Sequence, residues 1–317
     1  MARLLDFVLG HKEIINKMIE SFEQGKPGQT FLFVGPSGIG KKQVAKGMAQ
    51  ALLCTKSPRG CGLCPSCFRM GQGHHEGFLQ IEPDGAQIKM DQAKQVIEFL
   101  NLKSISHNRV IVIDQAQNLN PQAANSLLKT LEEPPPGTFF FLLAPSVAGL
   151  LPTIRSRSRI VQFKPLKSED LARKVQAPAW ALKSAAGSFE KLKQLTDASE
   201  LEVRQTSVDI LELFLKDSDF LLNETWRSEV KDRQQAARLF SYWVGFIKDA
   251  ILFQEDLKGQ MVNVDQANLI KTLAEYSREF LLDLMKGALA VEQAFVAYRD
   301  TQLVVEEYFV SMKPQLR

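Results

Sequence analysis

The residues best suited to chemistry in this chain form a glycine-rich loop near its start. The loop runs from Gly35 to Lys42 as Gly-Pro-Ser-Gly-Ile-Gly-Lys-Lys, between an apolar run typical of a strand and a pattern typical of a helix. Glycines there let backbone N–H groups turn inward around phosphate oxygens, and the helix N-terminus favours an anion. The order of strand, loop, lysine and helix predicts a phosphate-binding loop. Its candidate residues are Gly35, Gly38, Gly40, Lys41 and Lys42.

The last position of this loop departs from the phosphate-loop pattern. A Ser or Thr normally stands there, and its hydroxyl binds the Mg²⁺ that bridges the phosphates. Here the residue is Lys42, whose ammonium cannot ligate a cation and would repel one. The preceding Lys41 is placed to reach the β- and γ-phosphates. The loop therefore indicates phosphate binding and argues against magnesium-assisted hydrolysis.

A second candidate carboxylate ends a β-branched run. Asp114 follows Val110–Ile113, at the place where a carboxylate holds Mg²⁺ through water in P-loop enzymes. The next residue is Gln115, whose neutral amide can orient a water but cannot take its proton, so general-base assistance is lost. An aspartate that merely ends a strand remains the alternative for Asp114. Lys42 and Gln115 together predict little or no ATP hydrolysis.

The four cysteines all lie in one short stretch, with the spacing Cys54-x6-Cys61-x2-Cys64-x2-Cys67. Four thiolates so close together suit tetrahedral zinc, and a complete shell leaves no open coordination position, so the metal would be structural. A redox pair of Cys61 and Cys64 is the rival interpretation, but two further cysteines share the loop. We favour structural zinc. The nearby His74 and His75 are not needed as ligands, and we interpret both as surface residues.

Composition narrows the class of protein. The chain has 317 residues, of which 45% are hydrophobic and 24% charged, and a net charge of +3 that by itself argues for neither nucleic acid nor an anionic membrane. No apolar run approaches the roughly 18–20 residues of a membrane span, and the start of the chain lacks a secretory signal. We expect a cytoplasmic protein with no membrane partner, in which disulfides would be reduced.

The elements that must position these residues alternate in the first half. Short apolar runs predict strands, amphipathic spacing predicts helices, and their alternation indicates a parallel sheet covered on both faces. The predicted strands are Phe31–Val34, Val110–Ile113, Thr138–Leu143 and Ile160–Phe163. The predicted helices are Lys41–Leu53, Asp91–Leu102 (with Asp91 as its cap) and Ala123–Leu131. Lys164–Lys167 marks a boundary, after which long amphipathic helices follow from about Leu201.

The motifs now in place resemble those of bacterial clamp-loader subunits of DNA polymerase III, members of the AAA+ class. The resemblance covers the chain up to about residue 165 and is carried by Phe33–Lys41, the cysteine loop, Ala123–Pro135 and Leu151–Ser158. It implies an α/β P-loop AAA+ domain over 1–166 with a zinc-binding insertion at 54–67. A small helical lid over 167–200 and an all-α collar domain over 201–317 would follow.

Within that family, two kinds of subunit carry a zinc loop after the P-loop helix. The gamma/tau kind keeps a working phosphate loop and a catalytic glutamate, whereas the delta-prime kind is typically degraded at both. Lys42 and Gln115 therefore indicate the delta-prime kind. The length agrees, because the long C-terminal extensions of tau are not present in these 317 residues.

The resemblance also assigns a role to Arg157, in the sequence Ser156-Arg157-Ser158. Relatives have Ser-Arg-Cys there, and its arginine reaches the ATP site of a neighbouring subunit. A guanidinium is always charged and can bind the γ-phosphate in a fixed fork. A solvated basic edge is the plainer alternative. Further departures agree with an inert site in this chain: Pro145 stands near a polar sensor position, and only Lys191 lies where active relatives have a sensor arginine.

The sequence thus predicts a non-catalytic subunit of the DNA polymerase III holoenzyme, without polymerase activity and with little or no ATPase activity. Its expected partners are the gamma/tau and delta subunits, the sliding clamp, and primer–template DNA through the assembled complex. Zinc is the expected structural cofactor, and ATP binding without turnover stays open. The alternatives are an active gamma/tau-type ATPase and, with less support, a zinc-dependent DNA-binding module.

Overall fold

In the part of the chain that the structure describes, a parallel sheet of five strands forms the centre of the first half. The strands lie in the order β2-β3-β4-β1-β5, and every neighbouring pair is parallel. Their bounds are β1 Gln29–Val34, β2 Phe78–Ile81, β3 Arg109–Ile113, β4 Thr138–Ala144 and β5 Arg159–Gln162. Strand β4 is buried along its whole length, as the continuous apolar run at this position requires.

The structure, a computed structural model, describes residues 2–24, 29–102, 106–217, 220–222, 225–230, 232–296 and 300–313, with only the backbone described at 225, 292 and 296. The chain divides into two units. The first comprises residues 1–175 and 186–191, and the second comprises residues 176–185 and 192–317. The predicted boundaries at 166 and 200 stay predictions.

Helices cover both faces of the sheet in the first unit. On one face, Leu32 and Phe140 pack in a buried cluster with Val96 and Leu127 from two helices. On the other face, the ring of Phe22 packs edge-on against Phe31 at 5.8 Å between centroids. The helices are α1 Lys12–Glu23, α2 Lys41–Leu53, α3 Pro65–Gly71, α4 Met90–Asn101, α5 Pro121–Glu132, α6 Pro152–Ser156 and α7 Ser168–Ala172.

The predicted α/β class is confirmed, with two local corrections. Strand β2 was missed, because Phe78–Ile81 is a short edge strand in which only Ile81 is fully buried. The predicted cap of α4 was also wrong. The helix begins at Met90 with Lys89 as its N-cap, and Asp91 lies inside the first turn.

The second unit is helical, as predicted. A short helix, α8 Ala179–Ser184, precedes α9 Phe189–Leu195, whose first residues belong to the first unit. The remaining helices are α10 Ala198–Lys216, α11 Thr225–Glu229, α12 Arg233–Gln254, α13 Ala267–Ala274, α14 Arg278–Val296 and α15 Thr301–Met312. Helix α12 packs centrally, and its Trp243 lies among buried rings that include Phe214 and Phe309. Among the described residues, no helix is both long and apolar enough to span a membrane.

Candidate functional site

The glycine-rich loop lies at the carboxyl edge of the sheet, between β1 and α2. Helix α2 begins at Lys41, and its N-cap Gly40 has a left-handed backbone with φ of 97°. Gly38 also has a positive φ, of 73°, and a Cβ there would lie 2.2 Å from the Ser188 Oγ. Both positions therefore favour glycine. The N–H groups of the first turn of α2 have no intrahelical partners, which makes this end of the helix suitable for an anion.

Lys41 points back into its own loop. Its Nζ donates to the backbone carbonyls of Gly35 at 2.6 Å and Pro36 at 2.7 Å. Burial lowers the pKa of Lys41, and the negative charge of Asp114 opposes that shift. The ammonium is therefore held beside the loop, where a phosphate could replace the two carbonyls as its partner.

Lys42 is bound to two carboxylates. Its Nζ forms a hydrogen-bonded ion pair with Glu82 and lies 3.2 Å from Oδ2 of Asp114. Burial works against the charged form of Lys42, but the hydrogen bonds and charges of both carboxylates outweigh it and raise its pKa. The ammonium thus stands between the acidic groups of β2 and β3, next to the loop.

Glu82 is a site residue that the sequence analysis missed. It follows Ile81 at the end of β2, so the carboxyl ends of β2 and β3 bring Glu82 and Asp114 to the same edge. The hydrogen bond from Lys42 lowers the pKa of Glu82. The apolar residues of Phe78–Ile81 were the available signal: with this run assigned as a strand, Glu82 would have been placed at its carboxyl end.

The amide of Gln115 is engaged locally. The backbone N–H of Gln115 donates to Oδ1 of Asp114 at 2.9 Å, and its side-chain Oε1 accepts from Nδ2 of Asn118 at 3.1 Å. Gln115 itself has a left-handed φ of 52°. Asp114 is therefore held on one oxygen by the chain and on the other by Lys42, and the neutral Gln115 amide cannot take a proton from water.

An open cavity of about 590 Å³ surrounds these groups. Lysines from α2 and carboxylates from three other segments line it: Lys41, Lys42, Lys46, Glu82, Asp114 and Glu190. The segment around Phe189 closes one side, because the N–H of Phe189 donates to the Gly38 carbonyl at 2.9 Å. Pro145 also lines the cavity. The predicted phosphate residues Gly38, Gly40, Lys41 and Lys42 and the predicted Asp114 are thus brought together here.

The four cysteines form a second cluster, after α2. Their Sγ atoms all lie within 4.8 Å of one another. The distance is 3.9 Å between the Sγ atoms of Cys54 and Cys64 and again between those of Cys61 and Cys67. Zinc–sulfur bonds of about 2.3 Å place tetrahedral ligands about 3.8 Å apart, so this donor set fits zinc.

Backbone N–H groups point at these sulfurs. The N–H groups of Lys56 and Cys61 both donate to Sγ of Cys54. The N–H of Cys64 donates to Sγ of Cys61, and the N–H of Cys67 donates to Sγ of Cys64, all at 3.3–3.4 Å. At Cys64, burial is outweighed by hydrogen bonds, which lower its pKa to about 6, whereas burial raises the pKa of Cys67. Such N–H donors stabilise the thiolate form that a metal binds.

His75 is not a surface residue, contrary to the prediction. It is 5% exposed and lies in a chain of hydrogen bonds beneath the cysteine loop. Its Nδ1 accepts the N–H of Gly77 at 2.9 Å, so Nε2 carries the proton and donates to Oγ of Ser66 at 2.7 Å. Ser66 in turn donates to the carbonyl of Leu53 at 2.6 Å. His74 is exposed, as predicted.

Gln50 links the cysteine loop to the start of the chain. Its side chain is 1% exposed. Its Oε1 accepts the N–H of Leu4 at 2.8 Å, and its Nε2 donates to the carbonyl of Cys67 at 3.3 Å. One amide thus uses its donor and its acceptor on two different segments.

Arg157 lies at the end of α6, away from the residues that line the described phosphate cavity. Its Nε donates to Oε2 of Glu132 at 2.6 Å, and its Nη1 donates to the carbonyl of Thr153 at 3.2 Å. Its side chain is 28% exposed, so the guanidinium keeps an open side.

Comparison with known proteins agrees with these motifs. Residues 10–167 match a family model described as "DNA polymerase III, delta subunit". The delta-prime subunit of DNA polymerase III from Haemophilus influenzae is 34% identical over 150 residues, which are 46% of each chain, so the match spans about half the length of that relative. The Escherichia coli delta-prime subunit is 28% identical over 285 residues, 86% of this chain and 84% of that one.

A solved structure resembles the chain over most of its length. It is a DNA polymerase III gamma-subunit-related protein from Thermotoga maritima, with a TM-score of 0.54 and 16% identity over 96% of this chain and 99% of that one. At this identity the likeness shows the fold alone, which is the α/β domain followed by helices that the sequence predicts. The predicted resemblance to delta-prime subunits is confirmed by the family model and by the relatives.

Proposed function

We propose that this chain is a delta-prime-type clamp-loader subunit that assembles without hydrolysing ATP, because residues 10–167 match the family model described as "DNA polymerase III, delta subunit". The observation that carries the proposal is the ion pair of Lys42 with Glu82 and Asp114. It fills the region where a hydrolysing P-loop holds Mg²⁺ with a hydroxyl and a carboxylate.

The chemistry of hydrolysis needs two further groups that these residues do not supply. A water must be activated, and the neutral Gln115 amide is hydrogen-bonded to Asn118 and cannot take a proton. Charge on the γ-phosphate must be neutralised as it grows, and the carboxylate that would hold the cation is bound to Lys42. The subunit would therefore serve as a rigid member of the loader.

Partners and the arginine finger belong to the same proposal. The chain would assemble with gamma/tau and delta subunits and act on the sliding clamp and on primer–template DNA through the complex. Arg157 would stabilise the γ-phosphate at the ATP site of a neighbouring subunit. Its partly exposed guanidinium, bound on one side by Glu132, supports a role outside its own chain.

Zinc is the proposed metal of the four cysteines. Cys54, Cys61, Cys64 and Cys67 would each supply one thiolate to a closed shell. The bound metal would fix the loop that follows α2, because four ligands from one short segment tie its turns together. No reaction is assigned to it.

The Arg157 role has a direct test in the assembled loader. We expect Arg157→Ala to leave assembly intact and to slow ATP turnover by about 10³-fold or more at the neighbouring site, as loss of an arginine finger does elsewhere. Arg155→Ala is the matched control, since it removes an exposed basic side chain from the same helix. Equal turnover in the Arg157→Ala complex would remove the finger role.

The proposal as a whole is tested by steady-state ATP hydrolysis of the purified subunit. We expect no magnesium-dependent turnover by the wild type, and gain of turnover in the double variant Lys42→Thr with Gln115→Glu, which restores a metal-binding hydroxyl and a base. Appreciable wild-type turnover that Lys41→Ala abolishes would instead establish an active gamma/tau-type ATPase.

A further inference from the structure

We propose that the ammonium of Lys42 replaces the divalent cation of this site, so that the loop binds a polyphosphate group in its metal-free form. The inference rests on the proposed function in one respect, that this site does not hydrolyse ATP. It goes further by naming the form of the ligand: the polyphosphate of a nucleotide, or free pyrophosphate, not complexed to Mg²⁺.

Mg²⁺ does not fit the residues present. The ion needs several oxygen ligands in near-octahedral geometry, of which the protein normally supplies one or two. Here the Lys42 Nζ is already hydrogen-bonded to Glu82 and lies 3.2 Å from Oδ2 of Asp114. The other oxygen of Asp114 accepts the N–H of Gln115. A magnesium ion would have to displace an ammonium from both carboxylates and then stand beside it, and two cations that close repel each other.

A phosphate group does fit. Within the described part of the chain, Lys41 Nζ hydrogen-bonds only to backbone carbonyls of its own loop, and a charged phosphate oxygen would be a stronger partner than either. Gly40 caps α2 without a side chain, so the N–H groups of the first helical turn are left for an anion. Lys42 and Lys46 add two more cations to the lining of the same cavity.

The position of the cations decides the form of the ligand. Counted over the described residues, the ionisable groups that line the cavity are three lysines and three carboxylates, Lys41, Lys42, Lys46, Glu82, Asp114 and Glu190, so the lining has no formal excess of positive charge. Two of these carboxylates are paired with Lys42, at the place that a cation bound to the phosphates would take. Mg²⁺ carried by the ligand would be repelled by that ammonium, whereas a metal-free polyphosphate avoids this repulsion. The metal-free polyphosphate is therefore the better partner.

The test compares affinities with and without magnesium. Isothermal titration of the full chain with ADP, and separately with pyrophosphate, is carried out in buffer freed of Mg²⁺ without a chelator, and again in excess Mg²⁺. We expect the wild type to bind the metal-free probe at least as tightly as the magnesium complex. Lys42→Thr removes the ammonium and supplies a hydroxyl, so we expect the preference to shift toward the magnesium complex by about tenfold or more.

Lys46→Thr is the matched control. It removes one positive charge from the same helix face and the same cavity, but the charge is not the one bound to both carboxylates. We expect it to weaken both forms of the probe alike. If only ADP binds, the ligand is a nucleotide, and if both probes bind, the polyphosphate alone suffices; metal-free binding supports the inference in either case.

Three results would overturn the inference. They are a wild type that prefers the magnesium complex, a wild type that binds neither probe, and an unchanged preference in Lys42→Thr. None of them depends on turnover. A subunit that binds no nucleotide still fits a non-hydrolysing clamp-loader role, whereas magnesium-dependent hydrolysis by the wild type would contradict the proposed function itself.

Discussion

The phosphate loop and the cysteine loop lie at opposite ends of helix α2 and satisfy their charges in different ways. At the start of the helix, the carboxylates of Glu82 and Asp114 have an ammonium from the same chain as their cation. At its end, four sulfurs converge with hydrogen bonds from backbone N–H groups but with no cationic side chain hydrogen-bonded to them among the described residues. One site has its cation from its own chain, and at the other the proposed metal ion would come from outside.

This difference predicts that metal removal affects only one end of α2. We expect Cys64→Ser, or a strong zinc chelator, to lower the free energy of unfolding by several kcal/mol, on the order of 5, since zinc sites in isolated peptides contribute about 10–16 kcal/mol of binding. Elemental analysis and chemical denaturation measure the two quantities. Lys56→Ser, an exposed change in the same loop, should keep one metal per chain. A metal-free wild type with unaltered stability would break the comparison.

The phosphate loop is expected to depend instead on its own packing. Gly38→Ala places a Cβ at a positive φ and 2.2 Å from Oγ of Ser188, so we expect a loss of about 2–3 kcal/mol. Gly85→Ala is the control, because its φ of +67° imposes the same backbone strain with open space around the Cβ. The difference between the two variants in urea denaturation measures the contact with the segment at 188. Equal losses would show that this contact contributes nothing.

The ammonium of Lys42 should contribute less to stability than the proposed metal. Lys42, Glu82 and Asp114 are all partly exposed, so we expect Lys42→Met to lower the free energy of unfolding by only about 1 kcal/mol. The double variant Lys42→Met with Glu82→Gln should recover part of that loss, because one of the two unpaired carboxylates is then neutral. A double-mutant cycle measures the coupling. Purely additive effects would mean that the ion pair has no energetic role.

The last expected effect depends on pH and concerns His75. Burial lowers its pKa, with Glu76 and Arg69 acting in opposite directions, so below about pH 6.5 the unfolded chain binds a proton that the folded chain does not. Stability should therefore fall as the pH falls below that value, by at most about 1.4 kcal/mol per pH unit, and be unaffected above it.

The variant His75→Gln should flatten this part of the pH dependence. His74→Gln, which changes the exposed neighbour, should preserve it. Burial also lowers the pKa of His11, so a residual slope is expected in both variants. Denaturation midpoints between pH 5 and 8 make the comparison. An identical slope in the wild type and in His75→Gln would show that His75 does not contribute.

The sequence predicted what depends on local patterns. Continuous apolar runs identified β1, β3 and β4, and helix α2 has the predicted bounds, Lys41–Leu53. The glycines, Lys41, Lys42 and Asp114 were found because motif spacing and strand ends place them at one edge. The clustering of the four cysteines was predicted because they lie close together along the chain.

What the sequence did not predict depends on contacts between distant segments. Strand β2 has Gln80 in its middle and is only half-buried, so it lacks the strong apolar signal, and Glu82 was missed with it. Because Glu82 was missed, the sequence predicted only that Lys42 would repel Mg²⁺, and not that it pairs with two carboxylates. His75 was wrongly assigned to the surface. Its hydrogen bonds with Ser66 and Gly77 hold it in a buried position, and the spacing of residues along the chain does not reveal them.

The side chain of Gln50 connects the cysteine loop to residues near the start of the chain. Its amide accepts the Leu4 N–H on one side and donates to the Cys67 carbonyl on the other. A shift of Cys67 therefore displaces Leu4 through these two hydrogen bonds. An ion bound by the cysteines would thus act on Leu4 through two hydrogen bonds, beside the direct packing of Leu5 against Gly47 of α2. An aliphatic side chain at position 50 would remove both hydrogen bonds, and a fluorescent label joined ahead of Leu4 would measure whether metal occupancy is sensed there.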